Sequence, residues 1–232
     1  MHPVLFEWHG IRLYTYGVFL AIAFAVTYIM TQRKAPALGY TADEMARLFV
    51  WMICGGILGA RLFYVLQHWN YYQDQLIESL WLPEGGLVWY GGLIGGGLSG
   101  ISWVKRNKRS LIALSDAIAP YLALAQAIGR FGCFFNGCCF GINGFPIQIV
   151  YSAAMLILFG ALTWVSRIQK QKGQATLAYL LGYGLFRFVL EFARGDQEHM
   201  ANLFTIPQIL SLGLIIASLI GWIILHRKQK GA

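Results

Sequence analysis

Between Gly129 and Gly141 the chain reads GRFGCFFNGCCFG, and this stretch gathers the side chains with the most capacity for chemistry. Arg130 is a permanent cation, Asn136 offers an amide, and Cys133, Cys138 and Cys139 bring thiols in a C-x4-C-C spacing. They stand where a long hydrophobic run ends. An arginine at membrane depth is costly in hydrocarbon, so it marks a polar cavity or a ligand. Its planar fork suits phosphate, which it holds through two hydrogen bonds. Arg61, Arg187 and Arg194 also fall within or at the ends of apolar runs, with Glu191 among the few acids near them. Glu191 lies one helical turn beyond Arg187 and shares its face. One carboxylate cannot neutralise four guanidiniums, so an anionic ligand is expected.

The thiols leave three readings open. They are small apolar fillers, or a disulfide joining Cys133 to Cys138 or Cys139, or reactive thiols for nucleophilic relay or soft-metal binding. The spacing is not a zinc pattern and no histidine is near in sequence, so no metal ligand is assigned. Cys54, set among glycines, reads as a packing residue. His2, His9, His68, His199 and His226 lie in termini or loops and receive no catalytic role.

The elements that must position these residues are membrane helices. The chain of 232 residues is 57% hydrophobic and 12% charged, too apolar for an ordinary soluble domain. Its apolar runs are long and continuous rather than short and alternating, which favours a helical bundle over a membrane barrel. Seven spans are expected, at roughly 12–31, 44–67, 86–104, 111–130, 149–166, 175–192 and 203–225, each near the ~20 residues that cross a bilayer. Asp116 and Pro120 predict a bend or break in the fourth. The segment from His68 to Gly85 reads as an aromatic piece lying along the interface. Without a basic leader or a small-residue cleavage site, the first span is expected to be retained. The whole of 1–232 reads as one integral membrane domain.

The net charge of +8 is distributed as a topology signal. Arg33 and Lys34, Lys105 to Arg109, Arg167 to Lys172, and Arg227 to Lys230 fall on one side if the amino terminus is outside. That is the positive-inside pattern for an all-α, seven-transmembrane-helix bundle with N-out/C-in topology. It also removes the reason to invoke nucleic acid; the bilayer itself is the expected surface partner.

Several motifs, in order, resemble the prolipoprotein diacylglyceryl transferase family. Tyr16-Gly17 is similar to its Tyr-Gly at the first span, GILGARLFYVL (56–66) to its Gly-Ala-Arg motif, and GGLIGG (91–96) to its third-span glycines. SDAIAP (115–120) resembles the entry to the fourth span. GRFGCFFNGCCFG resembles the signature Gly-Arg-x-Gly-Asn-x-x-Asn-Gly-Glu-x-x-Gly, and YGLFRFVLEFARGD (183–196) the sixth-span pattern. The chain departs from the family at Tyr90, where a histidine is usual, at Cys133 and Cys138, which replace asparagine and glutamate, and after Pro146 and Gln148, where Val150 and Tyr151 replace Tyr-Glu.

The resemblance implies a bacterial inner-membrane enzyme with its site in the outer half of the membrane and no cofactor. Its reaction would move the diacylglyceryl group of phosphatidylglycerol to a cysteine thiol in a prolipoprotein signal peptide, forming a thioether and releasing glycerol phosphate. Arg130, Arg187 and Tyr90 would then be catalytic. Tyr16, Arg61, Gly91, Gly92, Asn136, Gly141, Tyr183, Glu191 and Arg194 would bind substrate. The alternative is a membrane thiol or redox protein on the same scaffold, centred on Cys133, Cys138 and Cys139.

Overall fold

In the computed structural model, residues 3–8, 11–74, 86–195 and 204–230 are described. The chain opens with a hairpin of β1 (Val4–Trp8) and β2 (Ile11–Tyr14), which pairs Val4 with Tyr14 and Glu7 with Arg12. Helices follow: α1 (Thr15–Gln32), α2 (Ala42–Gln67), α3 (Trp69–Tyr72), α4 (Trp89–Arg106), α5 (Leu111–Asn136), α6 (Ile147–Ile168), α7 (Gln174–Glu191) and α8 (Ile206–Lys230). Five of them (α1, α2, α5, α6 and α8) are long and apolar enough to cross a membrane.

The chain is mostly helical as expected, with a short hairpin ahead of a first helix that starts at Thr15 rather than near residue 12. Val4, Phe6, Ile11 and Tyr14 are β-branched or aromatic and fit a pleated ribbon better than a helical turn. The expected break at Asp116 and Pro120 is also corrected. One helix runs through both and continues to Asn136. Proline removes a single backbone bond there, which packed neighbours tolerate in a membrane helix. Of the expected interfacial segment, α3 is present, while residues 75–85 lie outside the described residues, as do His2, His9 and His199.

Two compact units emerge, residues Gln32–Leu111 and the remainder. In the first of these, α2 begins at a capping box. The Thr41 hydroxyl accepts from the Glu44 amide at 3.1 Å, and the Glu44 carboxylate accepts from the Thr41 amide at 2.8 Å. Arg109 Nη2 donates to the same carboxylate at 2.7 Å. Against α2, α4 packs through glycine: a Cβ on Gly59 would stand 2.4 Å from the Gly91 carbonyl oxygen, and one on Gly95 2.3 Å from that of Gly55. Such small-residue seams let two backbones approach where lipid supplies no hydrophobic drive.

In the larger unit the core lies between α5, α6 and α7. Ala123 and Ala127 meet Ala154, Met155, Leu158 and Leu162, with Tyr179, Tyr183 and Phe186 packed against them. Ser152 donates to the Ala127 carbonyl at 3.0 Å and Ser218 to that of Leu177 at 2.8 Å. The start of α7 is fixed by a side chain from α5. Asp116, buried, accepts from the Gly173 and Thr176 amides and, at 2.6 Å, from the Thr176 hydroxyl. A carboxylate at a helix N-terminus satisfies orphan donors and meets the positive end of the dipole. Some polar groups thus sit inside beside the apolar core, while large apolar side chains cover the outside, with Leu58 69% and Ile157 67% exposed. An apolar outer surface of this extent is what a lipid solvent favours and water does not. The chain is a mostly helical, multi-pass membrane protein.

Candidate functional site

The ends of α5 and α7 meet the start of α6 around one ring. Arg130, in the last two turns of α5, lays its guanidinium over Tyr151, 4.3 Å from the ring centroid. Arg187 of α7 approaches the same ring at 5.5 Å and donates Nη1 to the Tyr151 hydroxyl at 2.6 Å. The face of α6 behind the ring is set by spacing: Gln148, Tyr151, Ser152 and Met155 are all buried, as one helical stripe requires. Cation–π contact is worth more once both partners are removed from water.

Glu191 closes the cluster. Its side chain is fully buried and accepts from Arg187 at 2.7 Å, with Arg194 at 3.9 Å and the Thr205 hydroxyl at 3.3 Å. Three guanidiniums therefore face one carboxylate among the described residues, an excess of two positive charges. Arg187 is held by Glu191 and Tyr151, whereas no hydrogen bond occupies the Arg130 fork among the described residues. A partly buried guanidinium with open donors beside surplus charge fits a phosphate.

The signature segment turns directly beneath this cluster. The Cys133 carbonyl accepts from the Gly137 and Cys138 amides, both at 3.1 Å, and from the Cys138 thiol at 3.6 Å. Gly137 (φ +79°) and Cys139 (φ +63°) are left-handed, which folds the chain back over its own helix end. The three sulfurs consequently lie within 4.8 Å of one another. All four cysteines are free thiols, so no disulfide joins them. Burial pushes the Cys138 thiol up, and Asn136 opposes this with a hydrogen bond. Cys139 is held below the ordinary thiol range, first by a hydrogen bond from Cys133, then by Arg194 and Arg130.

Gly141 ties this turn to the end of α7. It bridges Arg194 as a short antiparallel pair, and a Cβ there would meet the Ala193 carbonyl oxygen at 2.7 Å. Gln148 donates to the Cys138 carbonyl at 2.6 Å, so α6 holds the turn from the other side. An open groove of about 570 Å³ runs along Gly137 to Asn143 and Gly195. Tyr16 of α1 lies within electrostatic reach of Arg130 and all three thiols.

The structure thus brings together Tyr16, Arg130, Cys133, Asn136, Cys138, Cys139, Gly141, Arg187, Glu191 and Arg194. Tyr183 instead stacks on Tyr179 at 5.9 Å against the apolar core. The remaining candidates belong to the smaller unit. Arg61 is buried there, its guanidinium 5.4 Å from both the Tyr64 and Tyr72 rings and Nη1 donating to the Gly86 carbonyl at 3.3 Å. Tyr90 is exposed at the start of α4 beside Trp89. Gly91 forms part of the α2–α4 seam, and Gly92 faces Ala60 and the Gly56 carbonyl at ordinary contact distance. Sequence reasoning missed Tyr151 and Thr205. For Tyr151 a signal existed, its placement three residues after Gln148 on one helical face.

A profile of the family described as prolipoprotein diacylglyceryl transferase matches residues 3–224. A phosphatidylglycerol–prolipoprotein diacylglyceryl transferase of Clostridium tetani is 31% identical, over 93% of this chain and 94% of its own. Proteins of that name from Idiomarina loihiensis and Thermotoga maritima are 31% and 30% identical, over 98% and 97% of this chain and 93% and 85% of theirs. The likeness therefore runs from the first strand into the last helix and takes in both units, far beyond the signature turn. On that extent of agreement, the chain belongs to the prolipoprotein diacylglyceryl transferase family.

Proposed function

We propose that this protein transfers the diacylglyceryl group of phosphatidylglycerol to the cysteine thiol of a prolipoprotein signal peptide. The observation that carries this is the surplus of two positive charges around Arg130, Arg187, Arg194 and Glu191, in a chain of this family. The incoming thiolate attacks the glyceryl carbon that bears the phosphate. The C–O bond breaks, its electron pair leaves with the oxygen, and glycerol phosphate departs as a dianion. One negative charge on the phosphodiester thus becomes two, and the surplus of two matches the product better than the substrate. Stabilisation that grows along the reaction coordinate is what accelerates it.

Roles follow from position. Arg130 offers its open fork to the phosphate, with the Tyr151 ring as its seat. Arg187, aimed by Glu191 and the Tyr151 hydroxyl, stabilises the leaving oxygen, and Arg194 adds charge. Asn136, Gly141 and Tyr16 shape the head-group pocket, while Tyr183 supports the helix face that presents Arg187. Tyr90, which stands where the family has histidine, is assigned a catalytic role, and Arg61, Gly91 and Gly92 are assigned to substrate on motif resemblance, Gly91 also forming part of the helix seam. In the membrane the chain is one integral domain with seven crossings, N-out and C-in, its site in the outer half of the bacterial inner membrane. The loop charges support this orientation.

Full-length likeness to named transferases favours this reading over a thiol or redox protein on the same scaffold. The test is complementation of a transferase-null bacterium, which the wild-type chain should rescue and the Arg130→Lys variant should not. Failure of wild type, expressed and inserted, contradicts the proposal.

A further inference from the structure

Cys133, Cys138 and Cys139 are spread over C-x4-C-C, yet their sulfurs lie within 4.8 Å of one another. Two left-handed residues, Gly137 and Cys139, produce this convergence, and the second is unusual for a residue with a side chain. A zinc ion bonded to thiolates at 2.3 Å sets its sulfurs about 3.8 Å apart. The observed triangle reaches that size with an inward shift of about 0.6 Å per sulfur at most. Among the described residues no fourth cysteine, histidine or carboxylate joins the group. Cys138 and Cys139 line the open groove, a space that a ligand can enter. Three protein ligands with one open position is the pattern of catalytic rather than structural zinc.

We propose that the three thiolates form a zinc site whose fourth position takes the acceptor cysteine. The inference rests on the transferase reading for the identity of that fourth ligand. It supplies a route to the thiolate that the described residues around the thiols do not offer. The reaction needs a thiolate from a group whose ordinary pKa is ~8.5. Around the thiols stand Arg130, Arg194 and Tyr16, and the nearby carboxylate, Glu191, is already shared among Arg187, Arg194 and Thr205. A thiol that coordinates zinc is deprotonated outright. Its proton passes to solvent, and the zinc-bound sulfur keeps a lone pair to attack the glyceryl carbon. Three thiolates and Zn²⁺ carry one negative charge, and a fourth thiolate makes two, which raises the electron density on the attacking sulfur; Arg130 and Arg194 lie within electrostatic reach. The metal does not change oxidation state.

The test uses the purified full-length chain in nanodiscs of phosphatidylglycerol, reduced and loaded with zinc or with cobalt(II). One metal per chain is expected, with sulfur-to-cobalt charge-transfer bands. A lipobox peptide should shift those bands, while the same peptide with serine for its cysteine should not. Cys139→Ser should weaken metal binding at least ~10-fold. Metal removed by washing with all thiols still titratable, or bands unmoved by the peptide thiol, overturns the proposal on the wild-type protein alone. Transfer measured alongside keeps the two readings apart. Thioether formed at an undiminished rate after chelation removes the zinc site and leaves the transferase. A metal centre that takes the peptide thiol without thioether formation supports the site and refutes the transferase reading.

Discussion

Arg130 and Tyr151 come from different helices, yet the guanidinium of one lies 4.3 Å from the ring centroid of the other. The contact fixes the plane of a cation whose fork is not tied to a carboxylate, and it gives the cluster its orientation. An arginine held by a ring keeps its hydrogen-bond donors for a ligand. One held by an ion pair has spent some of them. Arg187, paired with Glu191 at 2.7 Å, is the second kind.

From this follows a graded series at one ring. Tyr151→Phe keeps the surface beneath Arg130 and loses the hydroxyl that accepts from Arg187 at 2.6 Å. Transfer should fall roughly tenfold or more, the worth of one hydrogen bond to a charged group. Tyr151→Leu removes the ring as well and should cost more. Equal kcat/KM for the two variants in a labelled-lipid assay contradicts the seat proposed for Arg130.

Glu191 is predicted to matter for stability as well as for alignment. Its side chain is fully buried between Arg187 and Arg194. Glu191→Ala leaves buried positive charge without its partner, a change that costs about 3–5 kcal/mol in comparable pairs. Thermal unfolding in detergent should show a large drop in Tm. A Tm within a degree or two of wild type indicates that the guanidiniums are solvated rather than paired.

Asp116 separates folding from catalysis. Its carboxylate holds the first turn of α7 through Gly173 and Thr176, while Arg187 and Glu191 lie near that helix's far end. Asp116→Ala should lower stability by about 1–2 kcal/mol, as loss of a helix cap does, and leave kcat per folded molecule close to wild type. A large loss of kcat at unchanged stability reassigns Asp116 to the reaction.

The two glycine environments in α4 make a matched pair. A Cβ on Gly95 stands 2.3 Å from the Gly55 carbonyl oxygen, whereas one on Gly97 meets nothing within 4 Å. Gly95→Val should separate α2 from α4 and reduce the yield of folded protein, and Gly97→Ala should be silent. Comparable yields for both, judged by size-exclusion profiles, refute the close seam.

The helices were legible because lipid writes them as long apolar runs, and α2, α5, α6 and α8 lie close to where those runs predict. What the runs conceal is where an element changes type. Val4 to Tyr14 is apolar enough to pass as the approach to a span, and its pairing as a hairpin depends on contacts a linear pattern does not carry. Pro120 suggested a bend or break, but the helix continues unbroken through the buried face around it, from Leu114 to Ala123. Charge was the better guide to the site. Arg130, Arg187, Glu191 and Arg194 do converge, because intramembrane charge has few other uses. Tyr151 was visible only as a departure from the family pattern, since its contact with two arginines from other helices is not written in its spacing, and the thiol triangle escaped because it depends on two left-handed turns. Arg61 turned out to sit in an aromatic cage within the smaller unit, a partner set that spacing did not announce.

The central claim is the transfer reaction itself, and the most direct measurement is mass spectrometry of a lipobox peptide incubated with the purified chain and phosphatidylglycerol labelled in its glycerol head group. The account predicts a diacylglyceryl thioether on the peptide cysteine, labelled glycerol phosphate released one for one, and a loss on the order of a hundredfold with Arg130→Lys. No thioether from a folded wild-type protein, or undiminished transfer by Arg130→Lys, contradicts it.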